Sequence, residues 1–145
     1  MNIRKRVAAD NPVLLEIWHR SVRVTHTFLS AQDIDALYPQ VRDLYLPAVE
    51  IWVCEDEAGQ IAGFIGTHEA QVEMLFVDPA WFGRGAGSKL LDHASALRAK
   101  LTVDVNEQNP QAHGFYRHYG FEEVGRSPVD AAGRPFPLIH MALRD

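Results

Sequence analysis

Val77-Asp-Pro-Ala-Trp-Phe-Gly-Arg-Gly-Ala-Gly-Ser-Lys89 joins a run of strand-forming residues to a run with helical periodicity, and sets Gly83, Gly85 and Gly87 at alternate positions between them. A glycine-rich turn that feeds a helix lets backbone N–H groups converge where the helix dipole is positive, a geometry suited to phosphates. The Walker A pattern does not fit, because Gly87 is followed by Ser88-Lys89 rather than Lys-Ser or Lys-Thr and the glycines span too few residues. The dinucleotide fingerprint does not fit either: it wants glycine where Ser88 stands and a turn directly after the strand, whereas Pro79 to Phe82 intervene. Asp104 lies about 20 residues on, at the spacing of a ribose-binding acid, but in mid-strand. The glycines alone leave two readings open, a phosphate site and a loop needed only for close packing.

Working outward, the upstream residues alternate or cluster as strands. Gln71–Val77 reads as a strand stopped by Asp78-Pro79, and Glu50–Glu55 and Gln60–Gly66 flank the hairpin signal Ala58-Gly59. Leu14, Ile17, Trp18, Ser21, Val22 and Thr25 recur at helical spacing, with Asn11 as the expected cap and Pro12 in the first turn. Ser30-Ala-Gln-Asp33 resembles a capping box for a second helix carrying Ile34, Leu37 and Val41, which Pro39 is expected to kink or divide. Downstream, Leu90, Leu91, Ala94 and Leu97 mark a helix, Leu101–Val105 a strand, and Pro110–Tyr119 a short helix stopped by Gly120. Phe121–Ser127 and Pro137–Leu143 read as closing strands around a turn-rich segment, and Ile3–Val7 as an opening one. The expected fold class is mixed α/β in the order βααβββαβαββ, one domain over residues 1–145.

Composition narrows the function classes. The chain has 145 residues, 47% hydrophobic and 23% charged, which puts it among ordinary globular domains and away from disordered or low-complexity chains. Its net charge of −5 disfavours binding to nucleic acid through phosphate electrostatics and to anionic membranes. No apolar run approaches the roughly 20 residues that a bilayer requires, and Pro12 follows the basic start Met1–Val7 before any apolar signal region develops. Cys54 is the one cysteine, so no intrachain disulfide can form, in keeping with a reducing cytoplasm. Seven histidines show no His-x-x-x-His pair, and no metal site is expected.

A second segment decides between the readings of the glycine loop. Asn109-x-x-Ala112-x-x-Phe115-Tyr116-x-x-x-Gly120-Phe121 follows the strand after the glycine-led helix. Together with Asp78-Pro79, the loop and the element order, it resembles the GNAT superfamily of N-acetyltransferases over essentially the whole chain. Ile17-Trp-His-Arg-Ser-Val22, Thr25-His-Thr-Phe-Leu29, Asn106-Glu-Gln-Asn109 and Gly125-Arg-Ser127 are similar to the YjaB-like bacterial branch.

The resemblance implies a GNAT-like fold with a mainly antiparallel central sheet, splayed at a cofactor cleft, and acetyl-CoA as the donor. Leu75, Phe76 and Val77 would face the pantetheine arm and thioester; Gly83, Arg84, Gly85, Ala86, Gly87 and Ser88 would hold the pyrophosphate. Asn109 would meet the pantetheine amides. Phe82 departs from the family, which usually opens this loop with Gln or Arg, and weaker cofactor binding is the expected consequence. Arg84 and Lys89 flank the loop with positive charge.

Acyl transfer to an amine needs a neutral amine, a stabilised oxyanion and a proton for the departing thiolate. Tyr116 is the candidate donor of that proton, since a phenol with a pKa of about 10 stays protonated at neutral pH; packing beside Phe115 is the alternative. Glu73 is the candidate base, directly or through water. Trp18, Ser21 and His26 are candidates for the acceptor pocket. The expected partners are acetyl-CoA and a primary amine, from a protein lysine, an N-terminus or a small molecule, with the protein a monomer or homodimer. A non-catalytic acyl-CoA-binding or sensing module and a nicotinamide-dependent hydride-transfer enzyme are the competing classes.

Overall fold

The computed structural model describes residues 1–98 and 100–144. The strands are β1 (Asn2–Lys5), β2 (Glu50–Glu55), β3 (Ile61–His68), β4 (Gln71–Val77), β5 (Thr102–Asn106), β6 (Phe121–Ser127) and β7 (Leu138–Leu143). The helices are α1 (Asn11–Thr25), α2 (Ala31–Gln40), the single turn α3 (Leu46–Ala48), α4 (Ala86–Leu97) and α5 (Pro110–Tyr119). All seven strands form one sheet in the order β1-β2-β3-β4-β5-β7-β6. Each neighbouring pair is antiparallel except β4 and β5, which run parallel.

Two details at the N-terminal end differ from the sequence reading. Asn11 is the first helical residue of α1 rather than its cap, and no side chain caps that helix. The Asp10 carboxylate in the cap position is already engaged: it accepts both terminal nitrogens of Arg4, at 2.9 and 3.0 Å, and the Val7 N–H at 2.9 Å. The Arg4 guanidinium holds Asp10 below the usual carboxylate range. Second, Pro39 does not divide α2. The helical path runs on through a π turn over Val41–Tyr45, closed by the Leu46 N–H on the Val41 carbonyl, and into α3. Proline removes one donor from the ladder, and the wider i→i+5 turn directly after it keeps the chain helical.

Each face of the sheet carries its own core. Leu90, Leu91 and Ala94 of α4 pack with Val103, Val105, Phe121 and Met141 beneath Tyr116 of α5. On the opposite face Leu14, Ile17, Trp18 and Val22 of α1, with Ile34 of α2, pack on Ile51, Val53, Phe64 and Met74. Fully buried residues such as Leu14, Leu90 and Phe64 each contribute about 1.5–3 kcal/mol relative to exposure.

The sheet opens where the two cores meet. β4 and β5 pair only at Gln71↔Thr102 and Val72↔Val103, after which the strands diverge. On the other side of β4, Met74 lies opposite Gly66 and Val72 opposite Thr67, so Glu73 is the extra residue of a β-bulge. Bulges bend a strand and re-aim its side chains. Here the bulge falls at the residue where β4 leaves β5.

Candidate active site

A cleft of about 270 Å³ fills the gap between the diverging strands. Glu73, Leu75, Phe76, Asn109, Tyr116 and His26 all line it, which brings together six of the residues picked from the sequence. Phe28, from the α1–α2 connection, meets Phe136, from the β6–β7 connection, with ring centroids 5.8 Å apart along the same cleft.

Antiparallel pairing decides which main-chain groups of β4 are available. The Asp78 N–H donates to the Ala62 carbonyl at 2.8 Å, and Phe76 pairs with Phe64 two residues back. Main-chain groups alternate in direction along a strand. Phe76 therefore turns its N–H and C=O to β3, while those of Leu75 and Val77 face the gap. Phe76 contributes its ring instead, 6.2 Å from that of His26 and 5.9 Å from that of Phe64.

The glycine loop leaves β4 and ends at the N-terminus of α4. Gly83 and Gly85 have φ of +76° and +82°, the left-handed region that favours glycine, and Gly85 occupies the N-cap position. Among the described residues, no protein acceptor takes the N–H groups of residues 83–88. This row of unpartnered donors at a helix start suits an anionic group. Gly87 lets α4 approach α5: a Cβ there would lie 3.1 Å from the Phe115 ring, next in sequence to Tyr116. Arg84 lies over the Trp81 ring, 5.1 Å from its centroid, and Ala86 is buried in the core under α4. Phe82 is exposed beside the loop.

Asn109 is buried, and its side-chain oxygen accepts the Ala112 N–H at 3.1 Å, capping α5. That leaves its amide NH₂ for the cleft. Tyr116 packs edge-on against Phe115 and Phe121, at 5.3 Å in each case. Burial pushes its phenol well above the ordinary tyrosine value. The hydroxyl has no hydrogen-bond partner among the described residues, nor is it sealed in by protein; it opens to the cleft.

His26 terminates α1 at the opposite wall. The Thr25 hydroxyl donates to the Ser21 carbonyl at 2.9 Å, so its oxygen accepts from His26 Nδ1–H at 2.8 Å. This assigns the tautomer: Nδ1 carries the proton and Nε2 keeps a lone pair. Burial lowers the imidazole to about 4, so it is neutral at physiological pH.

Trp18 and Ser21 do not join His26 at the cleft, contrary to the expectation from sequence. Both are 4% exposed and lie against the sheet with Leu14 and Val22, because residues three and four apart share the buried face of α1. Ser21 contributes only its carbonyl, through Thr25. Phe28, Phe136 and Asp104 line the cleft without having been singled out as site residues. The two phenylalanines sit in connections whose approach no local pattern announces. Among the described residues, no group of three or more His, Cys, Asp or Glu is arranged to hold a metal ion, and no helix is long and apolar enough to cross a membrane.

Comparison with known proteins places this geometry. The model of the acetyltransferase (GNAT) domain matches residues 47–123. The chain is 42% identical over 142 residues to the peptidyl-lysine N-acetyltransferase YjaB of Escherichia coli (strain K12), covering 98% of this chain and 96% of that protein. It is 40% identical to YjaB of Salmonella typhimurium, covering 97% of each. The solution structure of apo-form YjaB from Escherichia coli superposes with a TM-score of 0.90, covering 97% of this chain and 95% of that one. With a splayed β4–β5 cleft, a glycine loop at a helix start and full-length similarity to such enzymes, the chain belongs to the GNAT family and is an acetyl-CoA-dependent N-acetyltransferase.

Proposed function

We propose that the acceptor is the ε-amine of a lysine in a protein or peptide. The observation that carries this reading is the 42% identity, over nearly the whole of both chains, to an enzyme named for acting on peptidyl lysine. The cleft lining supports it: His26, Phe28 and Phe136 form a chain of aromatic contacts, at 5.4 and 5.8 Å, and Glu73 on the bulge lines the same cleft.

In this reading the N–H groups from Gly83 to Ser88, those of Arg84 and Ala86 included, hold the pyrophosphate of acetyl-CoA against the start of α4. The main-chain groups of Leu75 and Val77 run beside the pantetheine arm in place of the missing β5 partner, and the Asn109 amide donates to it. Phe76 packs its ring beside the thioester. Bound acetyl-CoA supplies the activated acetyl group. Glu73 takes a proton from the incoming amine, directly or through water. The neutral amine nitrogen then bonds to the thioester carbon, the C–S bond breaks, and the second nitrogen proton leaves through water to restore the Tyr116 phenol as the amide forms. Tyr116 gives its proton to the departing sulfur; burial keeps the phenol protonated until then. His26 offers its Nε2 lone pair to an amine N–H. A bacterial cytoplasm as the place of action, no nucleic-acid or membrane partner, a single domain, and a monomer or homodimer complete the reading.

The test is incubation with acetyl-CoA and a lysine peptide whose N-terminus is blocked, following free thiol release and the peptide's mass. Stoichiometric acetylation and CoA release are expected. Tight binding of acetyl-CoA with no transfer to any amine would instead show an acyl-CoA-binding module, and transfer only to unblocked N-termini would displace lysine as the acceptor.

A further inference from the structure

Three side chains on β5, β7 and β6 form a hydrogen-bonded row beside the cleft. His140 Nδ1 lies 2.6 Å from Asp104 Oδ1, and His140 Nε2 lies 2.6 Å from Ser127 Oγ. A carboxylate can only accept, so Nδ1 carries the proton; in the neutral ring Nε2 then accepts from the Ser127 hydroxyl. Register explains how the row forms. Asp104 pairs directly with His140, and Ser127 lies two residues beyond Gly125, which faces His140 across the next pair of strands. Directly opposed and diagonal neighbours of this kind share one face of the sheet.

That face is the acceptor side. Val103 and Val105 point into the core under α4 and α5, so Asp104 between them points to the opposite face, where α1 and α2 pack farther along the sheet. Asp104 belongs to the cleft lining, whereas His140 and Ser127 do not. The row therefore meets the cleft at its carboxylate end.

We propose that Asp104, oriented by His140 and Ser127, is a second acceptor-side carboxylate that receives the cationic amine of the acceptor. The inference rests on the lysine reading above. Asp104 and Glu73 are the residues next after the last paired position on β5 and β4, so they flank the point where the strands part. The remaining acid of the cleft, Asp130, is consumed locally: it accepts the N–H groups of Ala132 and Arg134, at 2.9 and 2.8 Å, and pairs with the Arg134 guanidinium at 2.9 Å. The second oxygen of Asp104 has no protein partner among the described residues. The imidazole takes the first oxygen, which fixes the carboxylate plane and leaves the second to accept from an ammonium. Ser127 in turn holds the ring, so His140 and Ser127 are positioning residues.

The connectivity is also that of a Ser–His–Asp triad. A nucleophilic role would need a substrate at Ser127, and the cleft opens at the other end.

The experiment measures KM for a lysine peptide and for acetyl-CoA, kcat, and the melting temperature, in the wild type and in D104N, D104E, H140A and S127A. D104N is expected to raise the peptide KM by about tenfold or more, the effect of losing one charged hydrogen bond, with the acetyl-CoA KM and melting temperature little changed. D104E keeps the charge and recovers most of the affinity. H140A and S127A, which loosen the carboxylate without removing it, raise the peptide KM by a smaller factor, in that order. An unchanged peptide KM in active, folded D104N overturns the inference, as does an equal rise in both KM values or a failure of D104E to recover. Ester hydrolysis or fluorophosphonate labelling that is lost in S127A would assign the row to a nucleophile and overturn it as well. A wild type that binds acetyl-CoA and acetylates no peptide removes the lysine reading, and the inference with it, a result distinct from the others because no variant is involved.

Discussion

The glycine loop and the cleft are built from different materials. At the glycine loop the unpartnered groups are main-chain N–H donors, aimed by positive φ at Gly83 and Gly85 and by the start of α4. Along the cleft they are side chains, Glu73, His26, Phe28, Tyr116 and Phe136, carried by four separate elements or connections. A main-chain site depends on which residues permit a conformation, and it tolerates changes of side chain that leave the backbone alone. A side-chain site depends on several elements arriving together, and each member can be removed singly with a separable effect.

This contrast orders the expected effects of mutation. The largest belongs to the loop. Gly85→Asp keeps a residue type that tolerates left-handed φ, and no atom lies within 4 Å of the added Cβ, so the protein should fold. The new carboxylate would oppose the pyrophosphate among the unpartnered N–H groups, and acetyl-CoA affinity should fall by about 10²-fold or more by calorimetry. Unchanged affinity in the folded variant would remove the loop from the cofactor site.

Tyr116→Phe comes next, and sharpens the comparison on the side of the cleft. It deletes one oxygen and little volume from a residue packed on Phe115 and Phe121, so stability and acetyl-CoA binding should persist. If the phenol protonates the leaving thiolate, kcat falls by roughly 10²-fold, the lower end for general acid catalysis, since a CoA thiolate is already a tolerable leaving group. Single-turnover rates within about twofold of wild type would reduce Tyr116 to a packing residue.

The smallest effect is expected at His26. His26→Gln should raise the acceptor KM severalfold while leaving that for acetyl-CoA unchanged; an effect confined to acetyl-CoA would move His26 out of the acceptor end. The same variant carries a pH signature. Burial lowers His26 from 6.5 to about 4, so between those values the unfolded chain binds the proton more readily. The native contribution is whole above pH 6.5 and is lost as pH falls towards 4. Melting temperatures of His26→Gln should therefore decline less steeply than wild type over that window, and parallel curves would contradict the burial of this ring.

How far the site was legible follows the same division. Val77–Lys89 announces its loop because a left-handed backbone ahead of a helix calls for glycine at fixed positions. Pro110 and Gly120 bracket α5 just as locally, and the strands Glu50–Glu55, Gln71–Val77 and Phe121–Ser127 match their sequence reading end for end. Trp18 and Ser21 show where the reading fails. Helical spacing marks them as one face of α1, but it does not say whether that face meets the cleft or the core. The core takes it, because Leu14, Ile17 and Val22 share the face and must all be buried. At the start of α1 the helix begins one residue early, at Asn11, and the Asp10 carboxylate before it is held by Arg4 of β1 instead of capping the helix.

The sequence by itself determined the order of elements, the glycine loop, the aromatic α5 and the family, because each rests on residues close together in the chain. Only the tertiary structure decided the rest. The bulge at Glu73, the divergence of β4 from β5 and the row from Asp104 through His140 to Ser127 depend on register between strands, and the meeting of Phe28 with Phe136 on two connections that approach only in the folded chain. Strand pairing sets which side chains share a face, and a shift of one residue would turn Glu73 and Asp104 to the other face of the sheet.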